Sequence, residues 1–178
     1  ATQNDKRDWK IQTISAQTKY TPEITKCVKW LSSQLNEIGL EVDVWESKGH
    51  PCVFAQNLKA GKDKPTALLY LHYDVQPVDP LDLWDTPPFE PTLKDDKIFA
   101  RGACDNKGQA FYTLSALKAH FQKEGSYPIN IKILIEGEEE VGSGSLQELI
   151  KEKKDQVQAD YVLIVDSDLP NEETPAVT

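Results

Sequence analysis

Residues 67–74 read ALLYLHYD, a near-continuous apolar run that ends abruptly in a histidine and an aspartate, and this stretch decides the fold. Five apolar positions without helical spacing predict a β-strand buried on both faces. The pattern recurs twice. IKILI (131–135) leads into Glu136, Gly137 and the acidic Glu138, Glu139 and Glu140, and YVLIV (161–165) leads into Asp166 and Asp168. Between these two runs lies SLQELIKEKK (145–154), which reads as a helix. Strand, helix and strand in this order predict a right-handed crossover and a parallel pair of buried strands.

Working outward, Ile24, Val28, Leu31, Leu35 and Ile38 recur at helical spacing and predict a helix over 22–38, which Gly39 can end. Short strands are expected at 41–45 and 52–56, separated by the turn-rich SKGHP (47–51). The segment 74–95 is rich in Pro, Asp and Trp and reads as a long ordered loop, with a short strand at KIFAR (97–101) after it. Packing of that loop is favoured over substrate contact for Trp84, Pro87, Pro88 and Phe89. A second helix over 106–122 presents Ala110, Leu114, Leu117 and Phe121 on one face. The predicted class is α/β, with helices covering a largely buried sheet.

Composition narrows the function. The 178 residues are 39% hydrophobic and 28% charged, as in a globular protein, and the formal net charge is −9. No basic stripe offsets that charge, which argues against a nucleic-acid partner. No apolar run approaches the roughly 20 residues of a membrane-spanning helix. The N-terminal ATQNDKRDWK has no apolar signal core. Cys27, Cys52 and Cys104 are odd in number and widely spaced, so they form neither a disulfide framework nor a zinc-finger pattern. Reduced thiols in a cytoplasmic protein are the simplest reading, with Cys104 expected to be a packed thiol rather than a ligand.

The chemistry collects where the apolar runs stop. In open α/β sheets ligands bind beyond the carboxyl ends of the strands, and here His72, Asp74, the 138–140 acids and Asp166 all follow such ends. Each has a plain alternative. Asp74 could orient a structural histidine, Asp105 in RGACDNKG could cap the following helix, and EGEEEVGSGS could be a solvated acidic loop. Their conjunction in one crevice favours metal ions, because so many carboxylates would otherwise repel one another.

HYDVQP (72–77), LWDTPPFEP, RGACDNKG, EGEEEVGS and YVLIVDSD occur in an order that resembles the signature segments of M20-family metallopeptidases, especially their dipeptidase (carnosinase-like) branch. The resemblance runs from about Tyr20 to the last residue. It implies a three-layer αβα zinc-peptidase-like fold with a mixed, largely parallel sheet, incomplete in this chain. Residues 1–178 would be the N-terminal part of the catalytic, metal-binding domain. The lid domain, through which the full-length protein would form a homodimer, and the rest of the catalytic domain would lie outside it.

The same resemblance implies two divalent metal ions, zinc first and manganese or cobalt as alternatives. His72 and Asp166 would bind one ion and Glu140 the other, with Asp105 bridging both. Glu139 would be the general base, and Asp74 would fix the orientation of His72. A cis peptide is implied at Asp105–Asn106. One further histidine ligand would come from beyond this chain, since His50 and His120 do not match its position and read as solvated or packed. The implied reaction is hydrolysis of small dipeptides by a two-metal-activated water. The alternatives are an N-acyl amino-acid deacylase and, for these residues alone, an inactive metal-binding fragment.

Overall fold

The computed structural model describes residues 10–167 together with Asn171 and Thr174, so Asp168 lies outside the described residues. The first helix, α1 (Thr21–Glu37), carries Pro22 in its first turn, where a missing N–H costs nothing, and buries Ile24, Cys27, Val28, Leu31 and Leu35. It ends before Gly39, whose φ of +79° suits glycine, and a Cβ there would also collide with the Phe121 ring.

Among the described residues, seven strands form two sheets. β1 (Glu41–Trp45), β2 (Cys52–Asn57), β3 (Thr66–His72), β6 (Asn130–Glu136) and β7 (Tyr161–Ile164) form a five-stranded sheet in the order β1-β2-β6-β3-β7. β1 and β2 pair antiparallel, as do β2 and β6, while β3 runs parallel to both β6 and β7. The sheet is therefore mixed, and its parallel half is the half that carries the histidine and the acids.

Because side chains alternate across a strand, each face of the sheet builds its own core. On one face Val53, Ala55, Leu71, Ile131, Ile133 and Ile135 pack with α1 and with α2 (Lys107–Glu124). On the other, Trp45, Cys52, Phe54, Leu68 and Leu134 pack with Leu149 of α3 (Leu146–Glu152), and Val157 of α4 (Lys154–Val157) borders them. Helix, sheet and helix make the three-layer αβα arrangement.

Three expectations need correction. The 161–165 run is a strand but not a buried one: Tyr161, Val162, Leu163 and Ile164 are all exposed, at 63%, 61%, 48% and 65%. β7 pairs only with β3 among the described residues, and an apolar run marks a strand without revealing what lies against it. Nor do β6 and β7 pair with each other, because β3 lies between them and is the parallel partner of both. The 74–95 loop also ends early. β4 (Thr92–Lys94) and β5 (Lys97–Phe99) form a hairpin whose turn residues, Asp95 and Asp96, both have positive φ, as a type I′ hairpin turn requires.

The rest of that loop is tied down by packing. Trp84 donates its indole N–H to the Val78 carbonyl at 3.0 Å, and the Arg101 guanidinium lies over its ring while bonding the Pro77 carbonyl.

Candidate metal centre

β3 ends at His72, whose side chain is fully buried. The next alternate residue, Asp74, is equally buried and holds the imidazole from one side. His72 Nδ1 lies 3.1 Å from the Asp74 carbonyl oxygen and 3.3 Å from its Oδ1. A proton on Nδ1 satisfies these acceptors and leaves Nε2 as the donor atom facing the crevice. Nε2 lies 2.9 Å from Asp105 Oδ1, 3.6 Å from Asp166 Oδ2 and 3.9 Å from Glu139 Oε2.

Asp74 does a second job. Its two carboxylate oxygens accept the backbone N–H groups of Glu139 (3.2 Å) and Glu140 (3.1 Å), so the acidic turn after β6 is docked on the end of β3. Gly137 permits the approach, since a Cβ there would overlap the Tyr73 hydroxyl, which donates to the Pro51 carbonyl at 2.8 Å. Asn106 docks the third element. Fully buried, it donates Nδ2–H to Asp166 Oδ1 (2.7 Å) and the Val165 carbonyl (2.8 Å), while its Oδ1 accepts the His72 N–H at 3.3 Å. The Asp105–Asn106 peptide is cis, as the resemblance implied. Asn106, not Asp105, is the residue preceding α2, so Asp105 is not spent as a helix cap.

The electrostatics follow from this crowding. Burial pushes the His72 pKa down, but the hydrogen bond and charge of Asp74, with the charges of Asp166 and Asp105, raise it to about 9. A proton on the imidazole thus does part of what a cation would do there. Burial also raises the Glu140 carboxyl, while hydrogen bonds from Gln76 oppose the shift.

His72, Asp105 and Asp166 each offer one ligand atom, and these atoms lie within 4.8 Å of one another. One imidazole nitrogen and two carboxylate oxygens fit a borderline divalent cation such as zinc. Glu139 stands at the edge of this group. Glu140 is outside it, with its carboxylate held by Gln76. Cys104 is exposed, not packed as expected, while Cys27 and Cys52 are buried, and none of the three is in a disulfide. His50 is occupied at the Ser15 carbonyl and His120 stacks with Tyr127, away from the cluster.

Three participants escaped the sequence reading. Asn106 stands beside a predicted ligand but carries no charge to draw notice. Gln76 served only as a marker of the resemblance. Glu136, the last residue of β6 and the register partner of His72, is 1% exposed and accepts hydrogen bonds from Tyr70 and from Ser143 Oγ, the latter at 3.0 Å. Its position at the end of a buried strand was the available signal.

Residues 68–178 match the family model described as Peptidase family M20/M25/M40. The chain belongs to that family. It is 40% identical over 130 residues to the human Beta-Ala-His dipeptidase, a match covering 72% of this chain and 26% of that protein. It is 36% identical over 137 residues to succinyl-diaminopimelate desuccinylase 2 of Shewanella loihica, covering 74% of this chain and 35% of the relative. The crystal structure of human carnosine dipeptidase 1 superimposes with a TM-score of 0.83 at 33% identity, covering 93% of this chain and 38% of that one. The M20 chain described here thus spans about a quarter to somewhat over a third of the length of these proteins.

Proposed function

We propose that the protein containing this chain hydrolyses the amide bond of dipeptides at a centre of two divalent cations, with Glu139 as general base. The observation that carries this reading is the convergence of His72, Asp105 and Asp166 within 4.8 Å, with the Glu139 carboxylate 3.9 Å from the same imidazole nitrogen. His72 and Asp166 would hold one ion, Glu140 the other, and Asp105 both. Zinc suits the mixed nitrogen and oxygen donors, with manganese or cobalt as alternatives.

When bound, the cations would polarise the scissile carbonyl and make a water acidic enough to ionise near neutral pH. The chain's own groups then have defined tasks. Glu139, half-exposed and docked through its backbone N–H on Asp74, takes the proton of the attacking water and returns it to the leaving amine. Asp74 keeps the His72 proton on Nδ1, so that Nε2 remains a ligand atom. Asn106 holds Asp166 by one oxygen and leaves the other facing His72.

A dipeptide substrate is favoured by the likeness to several dipeptidases, the human Beta-Ala-His dipeptidase among them. Deacylation of N-acyl amino acids is the second reading, supported by the likeness to a desuccinylase. Because the relatives are much longer, we assign the remaining ligand, further substrate contacts and a homodimer contact to segments outside these 178 residues. By themselves these residues would then bind metal weakly and not turn over. No helix of the described residues is long and apolar enough to cross a membrane. We assign the protein to the cytoplasm because none of its three cysteines is in a disulfide.

The test is Glu139→Ala in the intact native protein, assayed on a panel of dipeptides and N-acyl amino acids. Turnover is expected to fall about 10²–10⁴-fold with metal content unchanged. Retained turnover removes Glu139 from the mechanism, and a preference for N-acyl substrates selects the second reading.

A further inference from the structure

Gln76 makes three hydrogen bonds to one residue. Its backbone N–H donates to Glu140 Oε1 at 3.1 Å, and its side-chain amide donates to Glu140 Oε2 at 2.6 Å and to the Glu140 carbonyl at 3.2 Å. The Glu140 N–H is already bound by Asp74. The peptide N–H, the carbonyl and both carboxylate oxygens of Glu140 are therefore all engaged from the segment that continues β3.

The division of labour along that segment is regular. His72 faces Asp105 and Asp166, Asp74 takes the backbone of the acidic turn, and Gln76 takes the Glu140 side chain. Glu140 is drawn toward Gln76 and stays out of the group formed by His72, Asp105 and Asp166. The chemical type of the donor matters. A lysine here would neutralise the carboxylate and compete with a cation. An amide fixes its direction while leaving the full negative charge and further lone pairs on both oxygens.

We propose that Gln76 is a positioning residue that keeps Glu140 apart from the His72 group and so creates the second cation position. This inference rests on the two-metal reading above. By holding a flexible carboxylate in place beforehand, Gln76 removes an ordering cost that cation binding would otherwise carry.

The test is zinc binding to the intact native protein and to its Gln76→Leu and Gln76→Met variants, by metal content and by competition with a chelator. Both variants keep the backbone N–H bond and lose the amide. The weaker zinc site should lose affinity roughly 10–100-fold, the tighter site should be unchanged, and excess zinc should restore both the second equivalent and kcat. The thermal midpoint of the metal-free protein should not move, because the Gln76 side chain is exposed. Two equivalents bound with wild-type affinities would overturn the role of Gln76 and leave the two-metal reading standing. Joint loss of both sites with a lowered metal-free midpoint would also overturn it, making Gln76 a structural residue. A wild-type protein that takes up fewer than two equivalents at saturation would overturn both.

Discussion

The floor and the rim of the crevice are built on different terms. On the floor, the His72 and Asp74 side chains have no solvent exposure and find their polar partners in each other and in the turn after β6. At the rim, the Asp105, Glu139 and Asp166 side chains are 60%, 38% and 22% exposed and converge on one imidazole nitrogen. Floor residues are held by the requirement that buried polar groups find partners, so their substitution should damage folding. Rim residues are free of that requirement, so their substitution should damage chemistry and spare the fold.

The largest effect on stability is expected at the floor. Asp74→Ala removes the counter-charge beside a buried imidazole and strands two N–H groups, and should cost about 3–5 kcal/mol in urea unfolding of the metal-free protein. A loss no larger than that of a surface substitution would erase the distinction between floor and rim.

A smaller effect should appear with pH. His72 has its folded pKa raised from 6.5 to about 9, so the folded state binds the proton more tightly than the unfolded chain. This stabilisation is fully present below about 6.5 and is lost as pH rises through about 9. Metal-free protein should therefore become less stable across that window, and bound metal should flatten the profile, because a cation replaces the proton. The smallest effect belongs to the rim. Glu139→Ala should change stability by only about 0–1 kcal/mol while lowering turnover about 10²–10⁴-fold. A loss of several times that size would show that Glu139 also holds the fold.

The same contrast governs how much could be read from the sequence. Apolar periodicity yields β1 at its observed bounds and α1 and both central strands to within a residue or two, because burial on alternating or helical spacing is what shapes those elements. It yields β7 to within a residue but not its exposure, since four apolar residues there lie open among the described residues. It also misses the β4–β5 turn, since two aspartates in left-handed conformation are a weaker signal than an Asn-Gly pair. At the site, the grouping of His72, Asp105 and Asp166 was legible because side chains that follow apolar strands or precede a helix enter one crevice. Asn106 and Gln76 were not, because a neutral amide announces neither charge nor burial. Only the folded geometry shows that Asn106 ties Asp166 to the end of β3 and that Gln76 ties down Glu140.

The central claim is that the His72 cluster and Glu140 form a centre for two cations. Its most direct test is zinc titration of the intact, metal-free native protein near pH 7, by calorimetry in buffers of different ionisation enthalpy. Uptake of two equivalents with release of protons is expected, because at that pH the Nε2 proton of His72 must leave for zinc to bind, while the Nδ1 proton stays with Asp74. Absence of stoichiometric uptake, or uptake without proton release, would contradict the account.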